Sequence, residues 1–318
     1  MFNLGGEVWN IADIISPDEL GSKGEFVREW GYDTQKGVMI SDPAALGSHL
    51  REIGLFHGHS AEEVGRAMPK PHVLELNCDA DPAALDAIKG DAAEMARLIL
   101  DRNTHRHTRF QAAGDLNAQF RQATGIAKAP FVAEYVRTLL ASHERVILFG
   151  WHREVYDIWM DALEDFNPML YTGSENSSRK DKSKNAFITG ESRVLLMSLR
   201  SGAGVDGMQK VCNQVVFGEL DWSPAVHKQG IGRASRPGMD MSRPVVAHYL
   251  VSDMGSDPVV AEALGIKRQQ AEPLMSRDGE LLGDVTAVEN GHARALAEYI
   301  LGASEAARLS LPDEPLAA

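Results

Sequence analysis

Arg233 and Arg236 stand three residues apart in QGIGRASRPG, residues 229–238, a turn punctuated by glycines. Each guanidinium is permanently charged and presents a planar fork of donors that suits phosphate oxygens. The usual phosphate cradle, GxxxxGK[ST] at the mouth of a helix, occurs nowhere in the 318 residues; GSKGEF at Gly21 lacks the spacing. The alternative reading of the two arginines is a set of surface ion pairs.

Two further loops have suitable chemistry. YTGSENSSRK places Gly173 where backbone can approach a ligand closely, with hydroxyls and Arg179 able to hold a phosphate; a solvated helix start is the alternative. SLRSGAGVDGM, residues 198–208, has glycines that would let backbone N–H groups face an anion, and Asp206 could take a ribose hydroxyl or relay to a partner loop. An ordinary strand-to-loop turn is the alternative there. His57-x-His59 and His105-x-His107 have metal-ligand spacing, but no cysteine or carboxylate pattern completes either, so no metal site is assigned.

Periodicity gives the elements that carry these loops. RVILFG, PMLYTG, RVLLMSL, QVVFGEL and VVAHYLV are short apolar runs, separated by helical patterns such as HREVYDIWMDALEDF and SSRKDKSKNAFITG. Such alternation implies a parallel sheet covered on both faces, with ligands at the carboxyl ends of its strands. Residues 1–140 read as mainly helical, with HVLELNCD as a strand, Asp-Pro helix starts at Asp42 and Asp81, and a helix in APFVAEYVRTLLAS. DPVVAEALGIKRQQAEPLM and ENGHARALAEYILGASEAARL read as terminal helices, and LPDEPLAA as a tail. The expected organisation is a helical region at 1–140, an α/β lobe at 141–256, and C-terminal helices and tail at 257–318.

Composition narrows the function classes. The formal charge of −13 argues against a chain that coats nucleic acid without specificity. That charge is uneven, since from Thr172 to Arg243 Lys and Arg outnumber Asp and Glu eleven to seven. No apolar run approaches the roughly 18 residues of a membrane span, and the N-terminus lacks a secretory pattern. Cys78 and Cys212 are too few for a disulfide framework. A cytoplasmic location without membrane contact is expected.

Taken together and in order, VILFGWHREV, YTGSENSSRKDKSKNAF, SRVLLMSLRSGAGVDGM, VVFGELDWSP and QGIGRASRPG resemble the second RecA-like lobe of superfamily-two helicases, more narrowly the SWI/SNF-type ATP-dependent DNA translocases of phage and bacterial type. VILFG stands as motif IV, SLRSGAGVDGM as motif V and QGIGRASRPG as motif VI. MFNLGGEVWNIADIISPDELGSKGEFVREWG resembles the family's segment after motif III, the helices up to Pro71 resemble its inserted protrusion, and DPVVAEALGIKRQQ resembles the helix after the lobe. The likeness covers most of residues 1–275. Departures are LFHGHS where the protrusion commonly has an Arg-Arg pair, Asp206-Gly207 where motif V often has Asn-Leu, and Met239 where motif VI often ends in Gln.

The resemblance implies roles. Arg233 and Arg236 would reach the γ-phosphate of ATP, with Gln229 helping to close the cleft. Gly204 and Asp206 would couple the nucleotide to the DNA side. Gly173, Arg179, Ser198, Arg200 and Ser201 would hold strand phosphates of duplex DNA. Trp222 would sit against DNA or serve as a packed loop anchor. Walker A, the Asp-Glu-x-His box and the Thr-Gly-Thr-Pro segment do not occur in the sequence. The expectation is therefore the C-terminal part of an ATP-dependent translocase whose first lobe lies elsewhere. ATP and Mg²⁺ belong to the complete protein, and this chain by itself would bind neither and hydrolyse no ATP. The alternative is a non-catalytic DNA- or protein-binding module derived from such a helicase. In the chain alone the two arginines are expected to be exposed and mobile.

Overall fold

The computed structural model describes residues 5–34, 37–56, 68–101, 103–200, 206–265 and 289–302. The N-terminal part begins with α1 (Val8–Ile15) and α2 (Lys23–Trp30), followed by the hairpin strands β1 (Gly31–Thr34) and β2 (Gly37–Ile40) and by α3 (Pro43–Glu52). Local chemistry sets these boundaries. Ser22 and Glu25 form a reciprocal capping box on α2, and Asp42 caps α3 with Pro43 in its first turn. Val8, Phe26, Ile40, Leu46 and Leu50 bury together as a small core of their own. The hairpin departs from the helical reading of this region.

The main body is a six-stranded sheet with every pairing parallel. Its strands are β3 (His72–Asn77), β4 (Val146–Gly150), β5 (Met169–Tyr171), β6 (Val194–Ser198), β7 (Gln214–Phe217) and β8 (Val246–Val251), in the order β3-β8-β7-β4-β6-β5. β3 thus joins the edge of this sheet from well before the other strands in the chain. The continuous apolar runs divide by the two-residue pleat. Ile147, Phe149, Leu195, Met197, Val215 and Phe217 enter one core, while Val146, Leu148, Val194, Leu196 and Val216 enter the other.

Helices cover both faces: α4 (Ala83–Leu100), α5 (Arg106–Ser142), α6 (Arg153–Ala162), α7 (Ser177–Thr189), α8 (Pro224–Ile231), α9 over residues 257–265, and α10 (Glu289–Leu301). Asn176 caps α7 at its start, and Gly190 ends it in the left-handed conformation. α5 corrects the expectation of a new helix near Ala129. It is one helix of 37 residues that runs through Pro130. Proline removes the ladder hydrogen bond to Ile126 O; the nearby carbonyls of Ala127 and Ala129 tie this stretch to its surroundings, accepting from Asp81 N–H at 2.8 Å and Trp159 Nε1 at 3.1 Å. No described helix is long and apolar enough to cross a membrane.

α5 is also stapled to the carboxyl end of the sheet. Asn117 accepts from Trp222 Nε1 at 3.0 Å, Arg121 donates to Leu220 O at 2.7 Å, and Thr124 Oγ1 accepts from Ser256 N at 2.9 Å. Lys128 Nζ lies 2.5 Å from Asp257 Oδ2 and donates to Leu250 O at 2.8 Å, with both charged side chains buried. These positions recur every three or four residues, so they share one face of the helix.

Candidate functional site

Because the sheet is entirely parallel, the carboxyl ends of its strands lie along one edge. The arginine turn reaches this region from α8. Pro224 opens that helix, and its end winds through short turns, with Arg233 N–H on Gly230 O at 3.1 Å and Ser235 N–H on Ile231 O at 2.9 Å. Gly238 closes the turn at φ +94°. Arg236 folds back on this backbone, and its Nε donates to Gly232 O at 2.8 Å.

The turn meets the loop after β6. Arg236 Nη1 stands 3.9 Å from Asp206 Oδ1, a loose and partly solvated approach. Gln209 joins the two segments: its Nε2 donates to Asp206 Oδ1 at 2.6 Å and to Pro237 O at 3.4 Å, while its Oε1 accepts from Gly207 N at 2.8 Å. Gly207 adopts φ +101°, where a side chain would be strained and would meet Ile188. The Gln209 hydrogen bond, the Gly207 amide and the nearby charges of Arg236 and Lys210 hold the Asp206 carboxyl below its ordinary range.

Arg233 corrects an expectation. It is only 8% exposed, because the turn packs it inward beside Arg236. Burial and the Arg236 charge push its pKa down, and Tyr171 on β5 opposes them. The arginines are thus not equivalent: Arg233 is buried and Arg236 half-buried. Gln229 is exposed on α8. Gly204 and Ser201 lie outside the described residues.

The other assigned residues follow the strand order along the same edge. After β5, Gly173 is exposed, and nothing lies within 4 Å of where its Cβ would be. Asn176 Oδ1 accepts from Arg179 N at 2.9 Å, which leaves the exposed Arg179 side chain on the first turn of α7. Ser198, the last residue of β6, is buried with its hydroxyl on Tyr156, and beyond it Arg200 forks onto Asp221, with Nε 3.1 Å from Oδ2 and Nη2 3.4 Å from Oδ1. After β7, Trp222 is 3% exposed and held by Asn117, so its burial matches the packed anchor rather than a surface ring. His105 and His107, at the start of α5, are exposed; His57 and His59 are outside the described residues.

Two acids here escape a reading of the sequence. Glu219 is buried and accepts from Trp151 N at 2.6 Å, His152 N at 3.0 Å and His152 Nδ1 at 2.5 Å. Burial pushes its pKa up, but the His152 side chain and the two backbone amides outweigh this and hold it low. Asp221 behaves alike: burial raises it, while the charges of Arg121 and Arg200 and hydrogen bonds from Arg200 and Ser223 N lower it further. The signal in the sequence is GELD, a polar stretch with two carboxylates immediately after an apolar strand.

Comparison with known proteins adds to this geometry. Residues 128–238 match the helicase conserved C-terminal domain. SWI/SNF-related matrix-associated actin-dependent regulator of chromatin subfamily A-like protein 1 of Drosophila melanogaster is 28% identical over 167 residues, 50% of this chain and 21% of that protein. DNA annealing helicase and endonuclease ZRANB3 of Mus musculus is 28% identical over 211 residues, 65% of this chain and 19% of that protein. The chain therefore spans about a fifth of the length of these relatives. In three dimensions it matches the C-terminal part of the Fun30 ATPase domain with a TM-score of 0.53 at 12% identity, over 74% of this chain and 99% of that one, which supports a RecA-like fold.

Proposed function

We propose that this chain, which carries the C-terminal lobe of a SWI/SNF-related helicase, works as half of an ATP-driven DNA translocase, opposite a lobe that holds ATP and Mg²⁺. Arg233 and Arg236 face the γ-phosphate when the two lobes close. Their fixed charge then stabilises charge that develops during phosphoryl transfer, the role of an arginine finger. The observation that carries this reading is the joining of two segments about thirty residues apart, where Gln209 bridges Asp206 to the backbone of Pro237, one residue beyond Arg236. Such a bridge couples the loop after β6 to the arginine turn, so a shift in one is felt by the other.

The same edge serves DNA. Arg179 is exposed on α7, and Arg200 has half of its side chain in solvent while buried Asp221 orients its guanidinium. Contacts of this kind hold backbone phosphates and carry little sequence information. Opening and closing of the two lobes would move these contacts along the strand.

The test is ATP hydrolysis with and without a nucleotide-binding first lobe. The chain alone should show no turnover above background, and addition of that lobe and DNA should produce it. Vigorous hydrolysis by the chain alone would contradict the division of labour. Salt-dependent DNA binding that ATP and the first lobe leave unchanged would favour a non-catalytic binding module instead.

A further inference from the structure

Trp151 is the most exposed of the five tryptophans, at 42%. It follows β4 directly, in the middle of the carboxyl edge, and none of the roles assigned above uses it. Burial of so large an apolar ring would ordinarily be favourable, so its position in solvent needs an explanation.

Its surroundings are fixed. The Trp151 backbone N–H is held by buried Glu219 at 2.6 Å. Arg200 lies over the ring, with Cζ 5.8 Å from the ring centroid, and is itself forked onto buried Asp221. The Trp151 backbone and the Arg200 guanidinium that covers its ring are therefore each held by a buried carboxylate just after β7. A mobile surface aromatic would lack such supports. The strand order β7-β4-β6-β5 places Asp221, Trp151, Arg200 and the Gly173–Arg179 segment in succession along the edge.

We propose that Trp151, flanked by Arg200, is a stacking platform for an unpaired nucleobase. The inference rests on the reading of this edge as a DNA-binding surface and adds to it the form of DNA preferred. Aromatic rings and guanidinium planes both stack on bases, and a cation beside the ring can also meet the phosphate of the same nucleotide. In an intact duplex the base faces are already stacked on one another. The platform therefore favours single-stranded or gapped DNA over a blunt duplex. Preorganisation by Glu219 and Asp221 lowers the ordering cost of binding.

Tryptophan fluorescence and anisotropy titrations at low salt, with a labelled oligo-dT and a blunt duplex, test this. In the wild type, oligo-dT should quench the exposed tryptophan emission. Trp151→Phe should lose that quench while keeping most of the affinity, since phenylalanine still stacks. Trp151→Ala should weaken oligo-dT binding by roughly 5- to 150-fold, the loss of one base stack, and weaken duplex binding by less than about twofold. Equal losses on both DNAs, or no loss on oligo-dT, would overturn the platform while leaving the DNA-binding reading intact. Wild-type protein that binds neither DNA would overturn both.

Discussion

Two pairs of opposite charge mark the contrast between the scaffold and the site. Lys128 and Asp257 meet at 2.5 Å with side chains 0% and 4% exposed; Lys128 also donates to Leu250 O, and Asp257 Oδ2 also accepts from Ser252 N–H. Arg236 and Asp206 approach only to 3.9 Å, with side chains 29% and 74% exposed. The first pair is closed, tight and buried. The second is loose and partly solvated. The charge pair of the scaffold is shut away from water, while the arginine proposed to meet a ligand stands partly in solvent.

Removal of one partner should separate the two pairs most sharply. Lys128→Met leaves the Asp257 carboxylate buried and should cost about 3–5 kcal/mol in urea unfolding. A Lys128→Met, Asp257→Leu double variant should recover much of that loss, because the desolvated charges then disappear together. Arg236→Ala should leave the unfolding midpoint unchanged. If Lys128→Met were equally silent, the closed pair would not be the strut described.

Acidification probes burial in a different way. His248 is held between Tyr135 OH at Nδ1 and Gln214 Oε1 at Nε2, both at 2.8 Å. Burial, aided by the charge of His143, lowers its pKa to about 4. Between the unfolded value of about 6.5 and the folded value, the unfolded chain binds a proton that the native state refuses. Stability should therefore fall as pH drops from 6.5 to 4, by at most roughly 3 kcal/mol. His248→Asn should flatten that limb in a pH series of melts. The carboxylates with lowered pKa values, Glu219 and Asp221, lose their contribution as pH falls from about 4.5 and 3.8 downward, so their limb begins only at the acid end of this window.

Smaller effects are expected at the loop after β7. Asn117→Ala leaves the indole N–H of Trp222 buried without its acceptor and should cost about 1–3 kcal/mol. DNA affinity should be retained, as befits an anchor. Arg179→Ala should change stability by less than about 0.5 kcal/mol, yet lower the slope of log affinity against log salt by about one.

Much of the lobe is legible in the sequence. Strands buried on both faces appear as unbroken apolar runs, and VILFG, VLLMS and QVVF are of that kind. Polar residues in the loops after those runs point to the carboxyl edge, which is why Arg200 and Asp206 can be found, whereas Arg236 is found from its spacing with Arg233 in a glycine-punctuated turn. Contacts between distant segments are not legible. Nothing local to Lys128 announces Asp257, 129 residues later, and Asn117 gives no sign of Trp222. Pro130 misleads because local preference ends helices at proline, whereas α5 runs through it. The burial of Arg233 likewise depends on how the turn packs, which spacing alone does not encode.

The decisive quantity is the DNA-stimulated ATPase rate of Arg236→Ala and Arg233→Ala, each assembled with a nucleotide-binding first lobe. Loss of an arginine finger should reduce turnover by roughly a thousandfold or more, with thermal melts of Arg236→Ala superimposed on the wild type. Near wild-type turnover in both variants would contradict the claim that this lobe completes the nucleotide site.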